Sequence, residues 1–313
     1  MAPDERAREG VTGMVVVDKE PGWTSHDVVA RCRRIFGQRR VGHAGTLDPD
    51  ATGVLLVGLG RFTRMLRFLT ALGKSYTGEV VLGTATSTLD GSGEVVGEWD
   101  MSSVSLAEVR AAAARLTGRI EQVPPMVSAR KVGGRRLHEL ARAGVEVERA
   151  PRPVIVSRFD VVPVGGEARG VFPIEVDCST GTYVRVLAAE LGAALGGGAH
   201  LRNLRRTRVG SLGVAEAHRL DALTHAHLLT PAQALRDLPQ VEVGSDTARQ
   251  VSLGLALDKV ALGAAGDGPW AILDRSGRLL AVYEGTGTDR VVAACVLVSS
   301  GEHRPPGRRD GHG

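Results

Sequence analysis

Gly42-His43-Ala44-Gly45-Thr46-Leu47-Asp48-Pro49-Asp50-Ala51-Thr52-Gly53 is a glycine-punctuated loop that runs straight into the apolar segment Val54-Leu55-Leu56-Val57. Asp-Pro initiates turns, and the apolar continuation over 54–59 reads as a buried strand. The loop therefore leaves one carboxylate, Asp48, at the lip of a rigid strand, where loop side chains often meet ligands. An isolated Asp-Pro is more often a structural turn than a reactive group, so the surrounding chain has to decide.

Upstream, residues 14–17 read as a first strand. Ser25 is expected to cap a helix whose positions Val28, Val29, Cys32, Ile35 and Phe36 share one apolar face. The other face carries Arg31, Arg33 and Arg34, with Arg39 and Arg40 just beyond and no acid among them. Such a run is either a phosphate-binding edge or a solvated helix face.

Downstream, a short helix is expected near 63–69 and a strand over 75–82. Ser105 and Glu108 form a capping box that opens a helix with Leu106, Val109, Ala113 and Leu116 inward. Pro124-Pro125 breaks the pattern, and the basic, glycine-bearing residues 128–152 suggest a mobile insertion. Strands over 153–163 and 170–177 precede a helix from Tyr183 to about Leu195, with Val184, Leu187, Ala188 and Leu191 on one face. Strands and helices mix without a regular β-α-β rhythm, so the expected class is α+β with a central mixed sheet. Beyond Asp237-Leu238-Pro239, short alternating segments at 241–243, 253–257, 270–273, 279–283 and 291–298 suggest a small β-barrel. The expected organisation is a first domain over 1–238, a second over 239–300 and a disordered tail over 301–313.

A chain of 313 residues with 43% hydrophobic and 24% charged residues suits a soluble globular protein. No apolar run approaches the length of a bilayer span, and the first residues lack the apolar core of a secretory signal. Cys32, Cys178 and Cys295 are odd in number and far apart, which argues against a disulfide framework or a cysteine metal site and fits a reducing cytoplasm. The net charge is +4, but residues 239–300 carry 5 basic and 7 acidic groups, so the basic excess lies in the first domain. Lys19, Lys74, Lys131 and Lys259 are the only lysines among 39 basic residues. Genomic base composition accounts for most of that ratio, although the arginine fork also suits phosphate.

The loop, continued through Gly60-Arg61, closely resembles the aspartate motif of the TruB-type tRNA pseudouridine synthases. Asp18-Lys19-Glu20-Pro21-Gly22-Trp23-Thr24-Ser25-His26-Asp27 resembles the N-terminal motif of that family. Lys74-Ser75-Tyr76, Gly181-Thr182-Tyr183-Val184-Arg185, and Gly198-Ala199-His200-Leu201 with Leu204-Arg205-Arg206 resemble others, in family order across about residues 12–215. The C-terminal segment is similar in pattern and position to a PUA domain, a small RNA-binding barrel.

The resemblance implies isomerisation of uridine 55 in the tRNA T loop to pseudouridine. No redox change occurs, so no cofactor and no metal are expected, and the sequence carries neither a P-loop nor a Cys-x-x-Cys pair. Asp48 is implied as nucleophile, Arg185 as the cation that keeps it ionised, and Tyr76 as the aromatic face against the flipped base. His43 is implied to fill the space the flipped nucleotide leaves, and Asp90 to pair with Arg185. Lys19, Arg130, Lys131, Tyr183, Leu204, Arg205 and Arg206 are implied on the RNA-binding side, the basic ones as phosphate contacts that position without reading sequence. The implied partner is tRNA through its T arm, with the C-terminal domain on the acceptor end. A monomer working without guide RNA or membrane is expected. Val127, His138 and Ser87 depart from the family pattern.

Overall fold

The structure is a computed structural model. It describes residues 10–126, 131–132, 135–136, 145, 147–163 and 170–297. The expected mobile insertion and the tail at 301–313 lie largely or wholly outside those residues.

The chain begins with β1 (Gly13–Lys19), α1 (Ser25–Ile35), β2 (Val41–Ala44) and β3 (Thr52–Leu59). A 3-10 turn over Gly60–Met65 leads to α2 (Leu66–Thr70) and β4 (Lys74–Leu82). A small hairpin of β5 (Thr84–Thr86) and β6 (Val95–Glu98) precedes α3 (Leu106–Arg115) and β7 (Gly118–Gln122). The short strands β8 (Lys131–Val132) and β9 (Arg135–Arg136) pair with each other. Next come β10 (Arg152–Val161), β11 (Val171–Cys178), α4 (Val184–Ala194), β12 (Ala199–Val209) and β13 (Leu212–Gly213). The C-terminal part holds α5 (Pro231–Ala234), β14 (Gln240–Val243), α6 (Ser245–Ser252), β15 (Leu257–Asp258), α7 (Lys259–Leu262), β16 (Trp270–Asp274), β17 (Leu279–Gly285) and β18 (Arg290–Val296).

The main sheet runs β1-β3-β12-β4-β11-β10-β7, with β2 added to β3 and β13 to β12. Its pairings are antiparallel except β12 with β3, which is parallel, so the sheet is mixed as expected. Strands β1 and β3 carry unbroken apolar runs, 14–17 and 54–57, because both faces of those stretches are covered. Val15, Val17, Leu55, Val57 and Leu59 point into a core shared with α1, α3 and α4. Met14, Val16, Val54 and Leu56 point the other way, into a core shared with α2 and with Ala271, Leu273, Val282 and Cys295 of the C-terminal sheet. Each such fully buried aliphatic side chain contributes roughly 1.5–3 kcal/mol relative to exposure.

The C-terminal sheet, ordered β14-β16-β17-β18-β15, curls into a half-barrel, in line with the PUA-like expectation. It is tied to the first part of the chain by more than apolar contact. Arg64 donates to the carbonyl of Val296, and Arg67 donates to the carbonyl of Ala294 and pairs with Glu284. Residues 253–257, expected as a strand, instead follow α6 as a turn, with only Leu257 paired. Helix α6 itself was missed because its apolar positions are few; Ala248 and Val251 alone face the core.

Two local differences bear on the site. Thr24, not Ser25, caps α1: its hydroxyl accepts from the Asp27 amide while the Asp27 carboxylate accepts from the Thr24 amide. Ser25 is the first helical residue and is buried. Residues 199–209, read from sequence only as a motif, form the long strand β12 between β3 and β4. Among the described residues no helix is long and apolar enough to cross a membrane.

Candidate active site

The Asp48 loop leaves β2 and enters β3, and almost every backbone group around Asp48 is tied down. Ser25 accepts from the Leu47 amide at 2.9 Å and donates to the Leu47 carbonyl at 3.2 Å, so one buried hydroxyl fixes the residue before the aspartate. On the other side, the Pro49 carbonyl accepts from Lys19 Nζ at 2.7 Å and from the Gly22 amide at 3.0 Å. Arg206 completes the clamp by donating to the carbonyls of Gly45, Thr46 and Val54.

The glycines explain why this loop is built as it is. Gly45 and Gly53 both have φ in the left-handed region, at 80° and 97°. Gly53 pairs with Arg206 so closely that a Cβ there would lie 2.1 Å from the Arg206 carbonyl oxygen. Tyr76 on β4 pairs with the same Arg206 from the opposite side. Gly53, Arg206 and Tyr76 thus form one row across β3, β12 and β4, next to the loop that Arg206 clamps.

With its backbone held, Asp48 presents only its side chain, which keeps 45% of its surface exposed. Asp48 Oδ2 lies 3.4 Å from Nη1 of Arg185, which is itself 3.4 Å from Asp90 Oδ2. Despite that open face, desolvation among the surrounding groups pushes the Asp48 pKa up; Arg185 opposes it and Asp90 adds to it. Asp90 behaves oppositely. Its Oδ1 accepts from Thr88 Oγ1, Ser92 Oγ and the Ser92 amide, and these bonds bring its pKa below the usual carboxylate range in spite of desolvation. One carboxylate is therefore held firmly ionised to anchor the arginine, and the other is poised.

Arg185 sits in the first turn of α4, with a side chain only 6% exposed. The start of that helix is fixed by buried Gln122, whose amide donates to the Tyr183 carbonyl and accepts from the Tyr183 amide at 2.7 Å. Tyr183 in turn lies under the Arg185 guanidinium, 6.0 Å from its ring centre. Tyr76 is 8% exposed, and burial raises its phenol pKa while Arg206 beside it pulls the other way. His43 on β2 meets His26 edge to face at 5.6 Å, and its Nδ1 is buried without a hydrogen-bond partner. Desolvation first, then His26 and Arg206, lower its pKa to about 4, so it is a neutral filler beside the loop at ordinary pH.

Asp48, Arg185 and Asp90 are thus brought into one contact set, with Tyr76, His43, Lys19 and Arg206 around the loop. Two of the residues expected at RNA phosphates face inward instead. Lys19 is fully buried, its ammonium spent on the carbonyls of Glu20, Trp23 and Pro49, and desolvation lowers its pKa to about 8. Arg206 is 1% exposed and spent on the loop. A buried cation already bonded to several backbone carbonyls is poorly placed to reach a phosphate. Arg205 points the other way and is held by a bidentate pair with Asp18 at 2.9 and 2.8 Å. Leu204 packs half-buried against the main core rather than facing a ligand. A register shift between Arg202 and Arg205, with Asn203 at φ 53°, sets which of these side chains turn inward. Arg130 lies outside the described residues, and Lys131 is described only as part of the backbone of β8.

Sequence reasoning missed Ser25 as a loop clasp and Gln122 as the anchor of α4. Nothing local marks Gln122. Ser25 was visible but was read as a cap. Among the described residues no group of three or more His, Cys, Asp or Glu could hold a metal ion.

Comparison with known proteins agrees with this architecture. Residues 33–184 match the TruB family pseudouridylate synthase (N terminal domain), and residues 185–241 match the tRNA pseudouridylate synthase B C-terminal domain. A tRNA pseudouridine synthase B of Rhodococcus jostii (strain RHA1) is 47% identical over 294 residues, covering 92% of this chain and 95% of the relative. Its counterpart in Symbiobacterium thermophilum is 50% identical over 257 residues, covering 82% and 86%. Among solved structures, a chain of a Cbf5-Nop10-Gar1 complex superposes with a TM-score of 0.71 at 25% identity, over 92% of this chain and 86% of that one. A chain of the archaeal box H/ACA sRNP Nop10-Cbf5 complex, 23% identical, shares the fold with a TM-score of 0.69 over 95% and 90%. With a locked aspartate loop, an arginine held between two carboxylates and near-complete coverage by such relatives, this chain belongs to the TruB family of pseudouridylate synthases.

Proposed function

We propose that this chain is a tRNA-modifying isomerase that converts uridine 55 of the T loop to pseudouridine, with Asp48 as the nucleophile. The observation that carries the reading is the Asp48–Arg185–Asp90 set on an immobilised loop. A carboxylate nucleophile must be ionised and aimed, and here the neighbouring cation supplies the first and the clasped backbone the second. The relatives at 47% and 50% identity are named tRNA pseudouridine synthase B, which supports tRNA as the substrate.

The reaction breaks the bond from N1 of uracil to C1′, turns the base and joins C5 to C1′. The proton on C5 leaves and N1 gains one, so atoms and charge balance without a co-reactant. The target must leave its stack to reach Asp48, which costs less in a loop than in a duplex. Tyr76 offers its ring to the extruded base, and its raised phenol pKa keeps the hydroxyl protonated. The half-barrel supplies a second surface for the tRNA acceptor end, and the chain acts as a monomer in the cytoplasm without guide RNA.

The test is a T-arm hairpin tritiated at C5 of the target uridine, incubated with the purified chain and with Asp48→Asn. Release of tritium by the unaltered chain alone is the expected result. Equal release by Asp48→Asn would remove Asp48 from the chemistry. A silent unaltered chain that still binds the hairpin would point to a guide-dependent or purely RNA-folding protein.

A further inference from the structure

A groove of about 400 Å³ opens outside the cleft, between the turn that follows β1 and the outer face of α1. Trp23, Ala30, Arg31, Arg34 and Leu220 line it, together with Gly22 and the acids Glu20, Asp27 and Asp221. Asp27, Ala30, Arg31 and Arg34 fall at i, i+3, i+4 and i+7, so they form one stripe along the helix, while Val28, Val29 and Cys32 are buried in the core.

The charges around this groove are unevenly spent. Asp27 is committed to the cap of α1, and Glu20 and Asp221 both pair with Arg219. Arg33 donates to the carbonyls of Arg39 and Val41, and Arg40 to Thr63. Arg31 and Arg34 are exposed and have no hydrogen bond or ion pair among the described residues. Two guanidinium groups without side-chain partners thus stand among three carboxylates that are engaged elsewhere, so an anion here would be held by direct bonds to Arg31 and Arg34 rather than by a net positive field.

Trp23 adds a flat apolar face. Its side of the turn is 36% exposed, although a tryptophan of this size usually finds cover. The Trp23 carbonyl accepts from Lys19 Nζ at 2.6 Å, and the same ammonium holds the Pro49 carbonyl. The backbone that carries the indole is therefore two hydrogen bonds, through Lys19, from the residue that follows Asp48. An exposed aromatic beside uncommitted arginines is the arrangement that takes an unstacked base together with its phosphate.

We propose that this groove is an auxiliary RNA subsite that receives one unpaired nucleotide of the substrate, its base against Trp23 and its phosphate on Arg31 and Arg34. The proposal rests on the RNA-modifying reading above. It differs from that reading in that neither arginine nor the indole belongs to the Asp48 set.

The test is binding of an unmodified full-length tRNA transcript at several salt concentrations, with tritium release measured alongside. Trp23→Ala should weaken binding roughly 5- to 150-fold, the range for loss of one stacked base. Trp23→Phe should recover most of that loss, which a merely structural role for the indole would not predict. The double variant Arg31→Gln/Arg34→Gln should lower the slope of log K against log salt by about 0.7 for a single-stranded phosphate contact. Unaltered affinity and slope in all three variants, with the unaltered chain binding and turning over tRNA, would overturn the subsite and leave the function standing. Failure of the unaltered chain to bind tRNA would overturn both.

Discussion

The cations beneath the Asp48 loop and the arginines on the outer face of α1 look alike in sequence and act in opposite ways. Lys19 and Arg206 are buried, and each binds three backbone carbonyls around the loop. Arg31 and Arg34 are exposed and uncommitted among the described residues. The difference teaches that basic residues near an RNA-modifying site do two jobs. Buried ones fix the geometry of the Asp48 loop, and exposed ones keep their donors in water, open to a ligand. A buried donor left without its acceptor is costly, whereas an exposed one is already solvated.

The contrast is sharpest at Asp48, the proposed nucleophile. Asp48→Asn should lower turnover by about 10³-fold or more, read by tritium release. It should also raise the thermal midpoint slightly at neutral pH. Burial raises the Asp48 pKa above its unfolded value of 3.8, so the folded chain holds the extra proton between those values. Stability from this group is therefore present below pH 3.8 and lost as pH rises through the folded value, and Asn escapes that loss.

Arg206→Met should be the most damaging change to stability, because it leaves the carbonyls of Gly45, Thr46 and Val54 without their donor. About 3 kcal/mol or more is expected by urea unfolding. Arg31→Gln should stay within about 0.5 kcal/mol. Equal effects in the two variants would break the comparison between the regions.

Arg185→Met should keep the fold and lower turnover by about 10²-fold. The acid limb of its pH–rate profile should move to higher pH, because Arg185 is the cation that holds the Asp48 pKa down against desolvation. A limb that stays in place would mean that another group titrates.

Ser25→Ala removes both bonds to Leu47 and should cost about 1–3 kcal/mol, with a matching loss of turnover as the aspartate loosens. Thr24→Ala should cost about 1 kcal/mol, the worth of an N-cap, with little effect on the loop. The order of these two in an activity assay separates the clasp from the cap.

Much of the fold was legible because its signals are local. The strand after the loop, the capping box at Ser105 and Glu108, and the amphipathic pattern of α4 all appear in the structure close to their expected bounds. Strand β12 was not legible. Its residues alternate poorly because a register shift and Asn203 in the left-handed region turn neighbouring arginines in different directions. The pair of Gln122 with Tyr183 spans 61 residues and leaves no periodic trace.

By itself, the sequence determined the family and, through its motifs, marked the aspartate loop and Asp48, Arg185 and Tyr76 as candidate site groups. It could do so because ordered motifs preserve residue type and spacing, and a glycine with positive φ is demanded by the backbone alone. Only the tertiary structure decided which cations face the loop and which face water, that Ser25 clasps rather than caps, and that Gln122 fixes the start of α4 across 61 residues. Those outcomes depend on strand register and burial. Both are set by contacts between segments distant in the chain, and the free energy of a charged side chain depends more on what surrounds it than on what it is.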